Sequence, residues 1–141
     1  MGWAAETKGG RGGQIVRVTN LNAEGPGSFR AAVETKGPRI VVFEVGGVID
    51  LDGKTLRVSE PFLTVAGQTA PSPGITLIKG GMDIAGHDVI VQHIRIRPGS
   101  AGGTWRKGPD FDSISTVGAY NVVVDHCSLT WGTDENLSAS G

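Results

Sequence analysis

Polarity alternates residue by residue over many short stretches of this chain, and only once does it follow the 3.6-residue period of a helix. The alternating or apolar runs predict strands over 14–19, 40–45, 48–51, 63–66, 75–79, 89–97, 114–117 and 122–130. Alternation is clearest in His93-Ile94-Arg95-Ile96-Arg97 and in Thr64-Val65-Ala66. Turn residues separate the runs, among them Gly46-Gly47, Asp52-Gly53, Gly80-Gly81 and Pro98-Gly99. The single helical stretch is predicted over 28–36. Ser28 can cap it after Pro26-Gly27, Phe29, Ala32 and Val33 share one face, and Gly37-Pro38 ends it. A short helix of this kind can cover the open end of a sheet stack, which would otherwise expose strand edges and apolar side chains.

The strands belong to a repeat. The segment 82–93, MDIAGHDVIVQH, lines up with 115–126, STVGAYNVVVDH, at an offset of 33 residues. A weaker copy begins at Pro61 and runs through Leu63, Val65 and Gly67, at an offset of 26. Units of this length that hold only short strands indicate coils stacked into a β-solenoid. The unequal offsets place loops of variable length between coils, where a solenoid carries its site. The competing architecture is a β-sandwich, which needs tight hairpins. No Asn-Gly or Asp-Gly joins two alternating strands at two-residue spacing here.

Composition sharpens this picture in three places. Glycine supplies 23 of 141 residues, more than twice the usual ~7 per cent, without a collagen period, as expected for many strands that each end in a turn. Gly9-Gly10-Arg11-Gly12-Gly13 lacks the Gly-Lys-Ser/Thr and the following helix of a phosphate loop, so it is expected to lie as irregular chain along a neighbouring surface. Cys127 is the one cysteine, which excludes an internal disulfide; it reads as a small core residue, with a reactive thiol as the alternative. The net charge is −1, which gives no argument for nucleic acid or an anionic membrane as partner. No apolar run approaches the ~18 residues of a membrane span, and the start, MGWAAETKGG, does not read as a signal peptide.

One stretch concentrates charge. Between 110 and 135 lie Asp110, Asp112, Asp125, Asp134 and Glu135, five of the fourteen acidic residues, with no Lys or Arg among them. Carboxylates at the ends of adjacent strands repel unless a cation neutralises them, and an oxygen-only donor set suits a hard cation such as calcium. A solvated acidic face is the other reading.

Taken together, Gly9–Gln14 (GGRGGQ), Thr19–Asn22 (TNLN), Gly25–Val33 (GPGSFRAAV), Val41–Val45 (VVFEV), Thr64–Gln68 (TVAGQ) and Val124–Ser128 (VDHCS) resemble the pectate lyases of polysaccharide lyase family one, in register over most of the chain. The resemblance implies an all-β fold, a right-handed parallel β-helix with one short N-terminal capping α-helix. It implies one domain over 1–141, with the N-terminal strand and helical cap over 1–38 and the coils over 39–141. It implies secreted enzymes that cleave polygalacturonate by calcium-dependent β-elimination. Asp110, Asp112, Asp134 and Glu135 resemble the family's calcium acids, and Asp125 and His126 its supporting Asp-His pair. Simpler roles remain open: a turn cap for Asp110 and a hydrogen-bonded strand residue for His126.

The family's catalytic arginine and further coils follow the region corresponding to Glu135. Arg95, Arg97 and Arg106 do not sit in that arginine's motif, so no catalytic residue is assigned, and the resemblance is to an N-terminal portion. The expected partners are calcium and the anionic polysaccharide, with neither nucleic acid nor membrane. An uncovered last coil near Leu129, Trp131 and Leu137 predicts a homo-oligomer, so a self-associating, non-catalytic module is the alternative function.

Overall fold

The computed structural model describes residues 7–98 and 114–129, and the backbone of 137–138. Strand β1 (Gln14–Val18) is followed by helix α1 (Phe29–Val33). Four further turns of chain then lay down three strands each. They are β2 (Arg39–Phe43), β3 (Gly47–Asp50) and β4 (Leu56–Val58); β5 (Leu63–Ala66), β6 (Ile75–Ile78) and β7 (Met82–Ile84); β8 (His87–Gln92), β9 (Ile94–Arg97) and β10 (Ile114–Ser115); and β11 (Tyr120–Asp125), β12 (Ser128–Leu129) and β13 (Leu137–Ser138).

Equivalent strands of successive turns pair side by side into three sheets, ordered β1-β2-β5-β8-β11, β3-β6-β9-β12 and β4-β7-β10-β13. Every pairing among the described residues is parallel. This is a right-handed parallel β-helix, and the sandwich is excluded. The repeat offsets are the pairing registers: Leu63 faces Val89 at 26 residues, and Val89 faces Val122 at 33.

Because the side-chain period of a strand is two, stacking in register turns each inward position into a column along the axis. Val41, Val65 and Val91 form one such column and Ile49, Leu77 and Ile96 another, all fully buried. Each such side chain contributes roughly 1.5–3 kcal/mol by leaving water. Arg39 interrupts a third column, in line with Leu63 and Val89, yet it is fully buried. Its guanidinium donates to the carbonyls of Val33 (2.6 Å), Pro61 (2.9 Å), Gly37 (3.2 Å) and Glu60 (3.3 Å). It thereby satisfies carbonyls at the C-terminal end of α1, where a cation is favoured. Desolvation lowers its pKa, and the Glu60 charge opposes that shift.

The helix forms where its cap is. The Ser28 hydroxyl oxygen accepts from the Ala31 amide at 3.2 Å, and Phe29, Ala32 and Val33 are buried over the first coil. Phe29 meets Phe43 edge-on at 5.2 Å between ring centres. The glycine-rich segment before β1 lies across the outer face of the first sheet, as expected. Thr7 donates to Asp88 at 3.0 Å and the Gly10 amide donates to Thr64 at 2.8 Å. A Cβ on Gly10 would sit 1.8 Å from the Arg39 carbonyl oxygen, so only glycine allows this approach.

The sequence pattern and the fold differ at the corners. The predicted strand over 89–97 is two strands, because His93 adopts φ +57° and turns the chain from the first sheet into the second. The run over 122–130 is divided in the same way at His126 (φ +54°) and Cys127. The three-residue strands β4 and β7 carry too few residues for their alternation to be seen.

Candidate functional site

Two corners of the β-helix carry the candidate chemistry. At the first, chain passes from the second sheet to the third. Strands β9 and β12 are neighbours, with Arg95 facing Ser128 and Ile96 facing Leu129. Strands β10 and β13 are also neighbours, with Ile114 facing Leu137. The segments β9-to-β10 and β12-to-β13 therefore leave from paired strands and return to paired strands. Asp110 and Asp112 belong to the first segment in sequence, and Asp134 and Glu135 to the second. All four lie outside the described residues. As a donor set, four carboxylates fit a hard cation and offer nothing to a soft one. Among the described residues, no group of three or more His, Cys, Asp or Glu side chains is arranged to hold a metal ion.

At the second corner, chain passes from the first sheet to the second, and here the Asp125–His126 pair is described. Asp125 ends β11 and faces Gln92. His126 and His93 both occupy the left-handed region, which is uncommon outside glycine. The two turns are superposed coil on coil. The His93 amide donates to the Asp125 carbonyl at 3.1 Å, and the two imidazoles stack 4.8 Å apart at 7° between planes. Asp125 Oδ1 lies 2.9 Å from His126 Nδ1, with the side chains 48% and 67% exposed. A carboxylate accepting there keeps the proton on Nδ1 and leaves Nε2 turned to other partners.

This corner opens as a groove of about 310 Å³, lined from three coils by Gln68, Pro73, His93, Arg95, His126 and Ser128, among others. Gly67 packs so closely beneath it that a Cβ would lie 2.3 Å from the His93 carbonyl oxygen. Arg95 Nη2 donates to the Pro73 carbonyl. Gln68 Nε2 donates to Gln92 Oε1 at 3.1 Å. Cys127 turns inward beside the pair, its thiol 3.5 Å from the Val91 and Asp125 carbonyl oxygens. Burial pushes that thiol's pKa up, which suits a core residue and disfavours a reactive thiolate.

Asp125 and His126 are thus held together at the corner between the first and second sheets; β12 separates them along the chain from the segment that carries Asp134 and Glu135. Sequence reasoning does not point to His93 or Gln68 as site residues, and it considers Arg95 only as a catalytic base and sets it aside. The signal for His93 was in the repeat, where it occupies the position of His126.

No family model matches the chain. It is 43% identical over 141 residues to a protein named "Probable pectate lyase C" from Emericella nidulans, covering 99% of this chain and 32% of that one. The like-named Aspergillus terreus protein is also 43% identical over 141 residues, with the same coverage. The chain therefore spans about a third of the length of the curated relatives it matches. Among solved structures, that of Jun a 1, the major allergen from cedar pollen, superposes with a TM-score of 0.75 at 23% identity, covering 96% of this chain and 43% of that one. At that identity the superposition speaks for the fold alone.

Proposed function

Because the chain is a homologue of the pectate lyases over 99% of its length, we propose that it forms the calcium- and pectate-binding portion of a lyase that cleaves polygalacturonate by β-elimination. The reading rests on that whole-chain identity. It is supported by the topology, in which both acid-bearing segments join the same two sheets in successive coils. Asp110, Asp112, Asp134 and Glu135 are the proposed calcium ligands, and Asp125 and His126 the proposed supporting pair. Calcium, when bound, would draw charge from a uronate carboxylate and acidify the neighbouring C–H proton. The chain's own acids would hold the ion and so fix where the uronate sits. No described residue is assigned the role of base. The parent protein is proposed to be secreted, as its polymeric substrate requires.

Titration calorimetry tests this reading. Calcium should give a binding heat and raise the melting temperature by linkage. Asp112→Asn should weaken calcium binding more than Asp125→Asn. Absent heat together with unchanged melting in millimolar calcium would overturn the assignment, and the reverse order of the two variants would exchange their roles. Turnover is read from the near-ultraviolet absorbance of unsaturated products, with and without calcium.

A second reading has its own observation. Val89, Val91 and Ile96 are fully buried, whereas their neighbours in the last described coil, Val122, Val124 and Leu129, are only partly so. Self-association through that coil, as a homo-oligomer, would complete their burial.

A further inference from the structure

The groove at the first-to-second sheet corner is lined by described residues other than the four proposed calcium acids, and of that lining the reading above uses only His126. Its lining is rich in donors. Arg95 brings a guanidinium with five N–H groups, and among the described residues the acceptor it meets is the Pro73 carbonyl. That contact holds the guanidinium against the groove wall. Ser128 adds a hydroxyl beside it, one strand along in the same register. His93 and His126 present stacked rings, with His126 Nδ1 committed to Asp125. Gln68 has its amide nitrogen committed to Gln92 and its carbonyl oxygen left as an acceptor. Among the described residues, Asp125 is an acid beside this lining, and it is already partnered by His126. The contributing residues come from three successive coils, so at ~4.8 Å between neighbouring strands the lining runs about 10 Å along the axis.

We infer that this groove is a second, calcium-independent binding site for a uronate-bearing oligosaccharide, with Arg95 taking the carboxylate and Ser128 and Gln68 taking hydroxyls. A guanidinium suits a carboxylate because its fork of donors matches two oxygens. The four acids would take a uronate through a cation, whereas this groove takes one directly, so chelators separate the two sites. The identity of the sugar rests on the pectate reading above; the site and its charge preference do not.

Trigalacturonate binding to the whole chain, measured by calorimetry in EDTA and again in calcium, tests the inference. In EDTA, binding should persist, should weaken about tenfold in Arg95→Gln, and should be unaltered in Asp112→Asn. The fully methyl-esterified trisaccharide should bind at least tenfold more weakly. On the unsubstituted protein, the His93 and His126 ring-proton resonances should shift during the same titration, which locates the ligand even if Arg95→Gln fails to fold; Ser128→Ala supplies a milder variant. Binding that needs calcium and is lost only in Asp112→Asn would overturn the groove and leave the calcium reading standing. Binding in EDTA that depends on Arg95, without any calcium-dependent component, would establish the groove and remove the calcium reading. Unmoved histidine resonances, or binding indifferent to both Arg95→Gln and Ser128→Ala, would also overturn it.

Discussion

At the first coil, Phe29, Ala32 and Val33 of α1 are at most 2% exposed, and Arg39 ties the helix end to the coil below. At the last described coil, Val122, Val124 and Leu129 stand half-buried in columns whose other members are closed, and Tyr120, stacked on His87, is 56% exposed. The same repeat thus has two different ends. Parallel coils bury one another's inward faces only where a further layer follows, so burial in a β-helix comes from neighbours, and the ends need something that the repeat itself does not contain. At the first end the chain supplies a helix with an apolar face. At the last described coil, the described residues include no such helix.

The largest effect should come from removing the cover. Phe29→Ala should cost about 3–5 kcal/mol, as for a fully buried aromatic, whereas Val122→Ala should cost on the order of 1 kcal/mol. Equal shifts in denaturant midpoint would break the contrast between the ends. Next, Arg39→Met removes the donor to four carbonyls while keeping the packed stem. It should cost roughly 1–3 kcal/mol, the penalty for leaving buried acceptors unpaired. A neutral result would mean that those carbonyls find other donors.

Leu129→Glu should weaken self-association at least tenfold, read by light scattering at tens of micromolar. A stable monomer at that concentration, in which the substitution changes nothing, would remove the self-associating reading.

The smallest effect concerns the strap over the first sheet. The hydrogen bond with His87 holds the Asp88 carboxyl below its ordinary range, and the Thr7 hydroxyl and Lys8 amide add to this. A depressed pKa gives stability that is present above the unfolded value and lost as pH falls through the folded one. Amide exchange at Gly10 should therefore quicken on acidification, relative to the amides of β5, and Asp88→Asn should abolish that pH dependence. An exchange ratio independent of pH would detach Asp88 from the strap.

Much of this molecule was legible because a β-helix writes its structure locally. The offsets of 26 and 33 residues became the registers that pair Leu63, Val89 and Val122. The Ser28 cap and the face of Phe29, Ala32 and Val33 defined the helix. The corners were not legible in the same way. His93 and His126 look like strand residues in an alternating run, and only their left-handed backbone, set by the stacking of one turn on another, shows that the chain bends there. Arg39 reads as the polar start of a strand, and its burial is decided by carbonyls that α1 and the 60–61 turn bring to it. The acid cluster is a feature of composition, visible in the sequence alone. That its two halves belong to segments joining the same pair of sheets follows from pairing between residues far apart in the chain. Period and capping are properties of neighbouring residues and survive in a one-dimensional reading. Convergence of corners, buried charges and grooves depends on which coil lies on which, and only the folded stack decides that.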